Sequence, residues 1–159
     1  MPVLVMKFGG TSVATLERIA RAAKRVGVEV AKGYDVIVIV SAMAGKTNEL
    51  VGWVNETSPL FDAREYDSVV ASGETVTAGL MALRLQEMEI PARSWHGWQV
   101  PVRTTANHSA ARIEEISTEN INAKFIEGMR VAVVAGFQGI SDEGRITTLG
   151  RGGSDTTAV

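Results

Sequence analysis

The chain of 159 residues is 45% hydrophobic and carries 16 basic and 18 acidic side chains, a formal net charge of −2, which gives one ordinary domain with material for a core and excludes a disordered or low-complexity class. No basic surface interleaved with aromatics is available for nucleic acid, and without cysteine there is no disulfide framework and no thiolate metal site or nucleophile. The longest apolar runs are strand-sized and the N-terminus lacks a secretory pattern, so a cytoplasmic protein with no membrane partner is expected.

In chain order, the apolar run Val3-Leu4-Val5-Met6 reads as a strand that stops at Lys7-Phe8-Gly9-Gly10-Thr11-Ser12-Val13. Glycines without a Cβ let the backbone turn sharply and bring N–H groups close to an anion, the helix that follows adds unpaired amides, and Lys7 supplies a mobile charge. A plain turn beside a solvated lysine accounts for the motif equally well. Residues 15–32 place Leu16, Ile19, Ala20, Ala23, Val26 and Val30 near a 3.6 period, an amphipathic helix closed by Gly33. Val36-Ile37-Val38-Ile39-Val40 is a β-branched run of the kind found in a parallel strand covered on both faces. Residues 41–48 form a loop at its carboxyl end, followed by a short helix over 49–55 and a break at Thr57-Ser58-Pro59.

Residues 63–88 predict one or two helices interrupted near Ser72-Gly73-Glu74, with Val69, Val70, Val76, Leu80, Leu83 and Leu85 in the core. Residues 90–95 read as a strand whose Pro91 marks its beginning or a sheet edge, residues 96–108 largely as an extended loop, and residues 111–116 as a short alternating strand. Ser117 or Thr118 can cap a helix that reaches Glu127 and stops at Gly128. Residues 130–137 repeat the buried-strand pattern, and Ser141-Asp142-Glu143-Gly144 is a hairpin turn that predicts a small projecting ribbon through residue 148. Residues 149–155 return to the opening theme of a glycine loop before a helix. Strands alternating with helices predict an α/β fold, a three-layer αβα sandwich around an open, mostly parallel sheet, without internal repeat or linker. Residues 153–159 read as a loop leading into a helix that has barely begun, which makes a truncated piece of a longer protein the expectation.

Ligands of open α/β sheets collect beyond the carboxyl ends of the strands, where the loops starting at Lys7, Ser41 and Leu149 should meet. Two of these loops join a glycine cluster to a fixed cation, Lys7 or Arg151, a combination suited to phosphate and carboxylate oxygens; Glu74 is the acid to add. Gly45-Lys46-Thr47 is not the end of a P-loop, because Val40 stands where that motif needs glycine. Nor is Gly150-Arg151-Gly152-Gly153-Ser154-Asp155 a dinucleotide fingerprint, since Asp155 takes the place of the third glycine and would repel a pyrophosphate. His96 and His108, without a cysteine or acid at ligand spacing, read as loop histidines, and Trp53, Trp95 and Trp98 as packing residues.

Together, Lys7-Phe8-Gly9-Gly10-Thr11-Ser12, Val40-Ser41-Ala42-Met43, Ser72-Gly73-Glu74 and Thr148-Leu149-Gly150-Arg151-Gly152-Gly153-Ser154-Asp155-Thr156-Thr157-Ala158 resemble the aspartate kinases of the amino acid kinase family, in the right order and over essentially the whole chain. The resemblance implies transfer of the ATP γ-phosphoryl to the side-chain carboxylate of L-aspartate, with ATP and Mg2+ as cofactors, at the entry to lysine, threonine, methionine and diaminopimelate biosynthesis. It implies that Lys7 and Asp155 act in catalysis and that Lys7, Phe8, Gly9, Gly10 and Ser41 hold the nucleotide phosphates. It further implies that Thr47, Glu74, Arg151, Gly152, Gly153 and Ser154 address the substrate, Glu74 facing its ammonium and Arg151 a carboxylate, with no metal-ligand set in the chain. By the same resemblance, residues 1–159 are the N-terminal portion of a catalytic domain whose nucleotide-binding half and regulatory ACT domains lie elsewhere. The piece alone would then turn over little, and a homo-oligomer covering the unfinished sheet edge is expected. Two other readings stay open: a non-catalytic anion-binding, amino-acid-binding or assembly module, and a family member acting on glutamate, carbamate or UMP.

Overall fold

The computed structural model describes residues 1–150 and 152–159. Four parallel strands, β1 (Val3–Phe8), β2 (Asp35–Val40), β6 (Val131–Ala135) and β3 (Ala92–Trp95), form a sheet in the order β1-β2-β6-β3. The two buried-strand runs occupy the middle, where both faces must be apolar: β6 is buried throughout, and in β2 only Ile37 is partly exposed.

Side chains alternate across the sheet and divide the core in two. Phe8, Val36, Val38, Val40, Val131, Val133 and Ala135 pack under helices α1 (Leu16–Ala31) and α4 (Ser72–Glu87), whereas Ile39, Ala132 and Val134 face α5 (Glu119–Ile126) and α6 (Gly153–Ala158). These are the three expected layers. Helix α1 starts where Thr15 Oγ1 accepts from the N–H of Arg18, and it buries Ile19, Ala22, Ala23 and Val26 at helical spacing, while Leu16 is exposed. Met81 and Leu85 of α4 are fully buried, each stabilising the layer contact by roughly 1.5–3 kcal/mol.

The buried stripe of α4 differs from the expected one. Ala78, Met81, Ala82 and Leu85 face inward; Val76 and Leu83 stand 51% and 62% exposed, and Val69 of α3 (Ala63–Val70) is also exposed. The apolar residues of α4 are spread around the helix and not gathered on one side, so hydrophobicity does not choose its face. Among the tryptophans only Trp95 packs against a core; Trp53 and Trp98 are exposed, the latter stacked on His96.

A second sheet, order β5-β4-β7-β8, extends the expected ribbon of β7 (Gln138–Ile140) and β8 (Ile146–Thr148) by β4 (Val102–Thr104) and β5 (Ile113–Ile116). Three of its strands are only three residues long, too short to show a period of two. Helix α2 (Lys46–Thr57) begins three residues earlier than expected, after Gly45, which draws Thr47 and Asn48 out of the loop and into its first turn. Among the described residues no helix is long and apolar enough to cross a membrane.

Candidate active site

Beyond the carboxyl ends of β1 and β2 lies a cavity of about 520 Å³. Its first wall is the turn after β1. The chain passes from Gly9 into a 3₁₀ turn (Gly10–Val13), so α1 does not follow the glycines directly, and of this short turn Gly10 lines the cavity. A Cβ on Gly10 would lie 3.0 Å from the carbonyl oxygen of Ala42, so glycine is what lets the turns after β1 and β2 touch. They are stitched by donation from Ser41 N–H to the Phe8 carbonyl at 3.1 Å and from Ala44 N–H to the Gly10 carbonyl at 3.2 Å.

Residues 41–45 and Thr47 and Asn48 of α2 form the second wall, and the first turn of α4 closes in behind them. A Cβ on Gly73 would come within 2.9 Å of the Ala42 side chain, and this tight approach places Glu74 against the loop. The Glu74 carboxyl is buried; its Oε1 accepts from Ala42 N–H at 3.1 Å and its Oε2 has no partner among the described residues. Burial pushes its pKa up to about 7, against two backbone N–H bonds, its own and that of Ala42, which favour the charged form. A carboxyl left half-satisfied in a cavity wall is costly unless a cationic or donor ligand completes it.

The third wall comes from the far end of the chain. Leu149, Gly150, Gly152, Gly153, Ser154 and Asp155 line the cavity as β8 gives way to α6, and Asp155 Oδ1 sits 2.7 Å from Lys7 Nζ. This pair is part-exposed, so it contributes on the order of 0–1 kcal/mol and is readily exchanged for a ligand oxygen. Tyr66 of α3, Ser109 and Phe137 complete the lining.

Of the residues singled out from the sequence, Lys7, Gly10, Ser41, Thr47, Glu74, Gly152, Gly153, Ser154 and Asp155 share this one cavity. Gly9 is not part of the lining but lies under Lys7, whose Nζ is 3.3 Å from where a Cβ would be. Phe8 does not join them: its ring is part of the core beneath α1, and its carbonyl is taken by Ser41. Arg151 lies outside the described residues.

Sequence reasoning missed Asp67. Its fully buried carboxylate accepts from Thr148 Oγ1 at 2.6 Å, from Ser109 N–H at 3.0 and 3.2 Å, and pairs with His108 Nδ1 at 2.7 Å. So His108 does have an acidic partner, 41 residues away in sequence. The available signal was an acid on the inner face of α3, at the i+4 position from Ala63 and three before Val70. No group of three or more His, Cys, Asp or Glu side chains among the described residues could hold a metal ion. A magnesium ion fits the lining only as the companion of phosphate oxygens, because such ions commonly take one or two carboxylates and keep the rest of their shell from phosphates and water.

The profile of the Amino acid kinase family matches residues 2–159. The aspartokinase of Rickettsia conorii is 50% identical over 162 residues, an alignment covering 100% of this chain and 40% of that protein. The crystal structure of aspartate kinase from Synechocystis superposes with a TM-score of 0.80 at 43% identity, over 99% of this chain and 26% of that one. Aspartokinase III of E. coli, in complex with aspartate and ADP, gives a TM-score of 0.85 at 27% identity over 99% of this chain and 45% of that one. The chain thus spans less than half the length of these relatives. With a profile match from end to end, the chain belongs to the amino acid kinase family.

Proposed function

We propose that this chain is the aspartate-binding and phosphoryl-holding part of an aspartate kinase, and that the full-length protein transfers the γ-phosphoryl of ATP to the side-chain carboxylate of L-aspartate. The observation that carries the proposal is the buried Glu74, its Oε2 unpartnered among the described residues, in the wall of the same cavity that holds the Lys7 ammonium. An α-amino acid is the complementary ligand: its ammonium completes Glu74 and its acidic side chain reaches toward Lys7. The relatives named aspartokinase, and the one solved with aspartate and ADP, support the same substrates.

In the proposed reaction the aspartate carboxylate oxygen attacks the γ-phosphorus, the bond to the β–γ bridging oxygen breaks, and ADP leaves with that electron pair. No covalent enzyme intermediate is needed, since the nucleophile is already an anion; the barrier lies in bringing two anions together. Lys7 gives up its weak pairing with Asp155 to neutralise the phosphoryl oxygens, while Gly10 and Ser41 line its side of the cavity. Glu74 orients the substrate ammonium, Thr47, Gly152, Gly153 and Ser154 line the substrate side, and Arg151 is assigned a substrate carboxylate. Magnesium, arriving with ATP, supplies further charge neutralisation at the phosphates.

We further propose that residues 1–159 form the N-terminal portion of the catalytic domain, that ACT domains and a homo-oligomeric assembly belong to the full-length protein, and that it works in the cytoplasm at the entry to lysine, threonine and methionine biosynthesis. The test is acyl phosphate formation by the full-length protein, trapped as the hydroxamate, with aspartate, glutamate and carbamate as competing acceptors. Preference for aspartate is expected; a preference for another acceptor, or no hydroxamate with any, overturns the reading.

A further inference from the structure

Asp67 does not itself line the cavity, yet it ties together segments that border it. It lies on α3, whose neighbouring residue Tyr66 lines the cavity and which leads through Ala71 into the first turn of α4 with Glu74. Its two oxygens bind the N–H of Ser109, a lining residue, and the hydroxyl of Thr148, the last residue of β8 before the lining residues Leu149 and Gly150. Ser109 has a left-handed backbone, φ 69°, which an L side chain adopts only where the surroundings hold it. Two bonds to Asp67, at Ser109 N–H and at the adjacent His108 Nδ1, are what hold it. Thr148 also accepts Ala111 N–H at its carbonyl, so the segment around Ser109 and the end of β8 are tied to each other as well as to the carboxylate.

We propose that Asp67 is a positioning residue for the amino-acid substrate: by fixing Ser109 and the start of the 149–155 loop against α3, it sets the substrate side of the cavity without contacting the substrate. No other carboxylate among the described residues accepts from two segments so far apart in sequence, residues 108–109 and Thr148, and hydrophobic packing alone would leave the buried Thr148 hydroxyl without this partner. The inference rests on the phosphotransfer reading for its kinetic consequence, and on geometry alone for its structural one.

The experiment uses the full-length protein with Asp67→Asn, Thr148→Val and Thr148→Ser, all checked for native melting. In Asp67→Asn the KM for aspartate is expected to rise about tenfold while kcat and the KM for ATP stay within about threefold, a split that general loosening of the fold does not produce. Thr148→Val, which removes a single donor and keeps the protein testable should Asp67→Asn not fold, shifts the aspartate KM in the same direction by less; Thr148→Ser restores it. Amide exchange at Ser109 should be at least about tenfold faster in Asp67→Asn than in the parent. An unchanged aspartate KM, or equal losses for aspartate and ATP, overturns the proposal. Should the parent phosphorylate no aspartate, the functional reading falls on its own, and unaltered Ser109 exchange in a folded Asp67→Asn or Thr148→Val variant then overturns the role given to Asp67.

Discussion

Two cavities of this molecule are nearly equal in volume, about 520 Å³ beyond the ends of β1 and β2 and about 540 Å³ beside the edge strand β3. They differ in what packing has left unfinished. Beside β3 the charges are already answered by near neighbours: Lys124 pairs with Glu127 three residues on, at 2.7 Å, and Arg93 donates to the carbonyl of Ala92. Among the described residues, the buried orphan on that side is the neutral indole N–H of Trp95. In the other cavity, segments from both ends of the chain bring a part-exposed ion pair, Lys7 with Asp155, to the same space as a buried carboxyl with a free oxygen. A recess alone costs the fold little; an unsatisfied ionisable group in its wall is a stability penalty that a ligand can relieve.

The comparison breaks most visibly at its cations. Lys7→Ala should lower kcat of the full-length protein about a thousandfold, on the order of 4 kcal/mol of transition-state stabilisation, as expected for removal of a fixed charge at a transferring phosphoryl. Lys124→Ala, at the β3 cavity, serves as the control and should leave steady-state rates within about twofold.

Next in size is the pH dependence carried by Glu74. Its folded pKa of about 7 lies above the ordinary 4.5, so between those values the native state binds more protons than the unfolded one and stability falls as pH rises. The loss should reach about 3 kcal/mol above pH 7, and Glu74→Gln should remove it, as read from denaturant midpoints at pH 5 and pH 8.

A glycine pair on α4 sharpens the same contrast. Gly73→Ala drives a methyl into the Ala42 side chain at 2.9 Å and should destabilise by about 1–3 kcal/mol while weakening aspartate binding. Gly79→Ala, with nothing within 4 Å of the new Cβ, should instead stabilise by about 0.5–1 kcal/mol and leave binding alone. Thermal melts of the two variants, beside aspartate titrations, decide both.

Much of the frame was legible because the relevant signals are local. The apolar runs of β2 and β6 announce strands covered on both faces, and the 3.6-residue period of α1 announces its inner stripe. The glycine loops could be placed at strand ends, and Glu74 stood out as an acid after Ser72-Gly73. What stayed hidden depends on partners distant in sequence. The second sheet joins strands too short to carry a period, the inner face of α4 is chosen by packing against α1 and β3, and Asp67 acquires meaning only when Ser109 and Thr148 arrive beside it. Phe8 shows the reverse: it sits within the glycine motif by sequence, yet its ring belongs to the core.

The central claim is that the free oxygen of Glu74 receives the ammonium of an amino-acid substrate, and proton release on binding tests it most directly. Titration calorimetry of the full-length protein with aspartate at pH 7, in two buffers of different ionisation enthalpy, should show release of about half a proton, because an arriving cation pulls the Glu74 pKa down through the solution pH. The release should vanish in Glu74→Gln, with affinity lowered. Aspartate binding with equal affinity and no buffer dependence in both proteins would contradict the account.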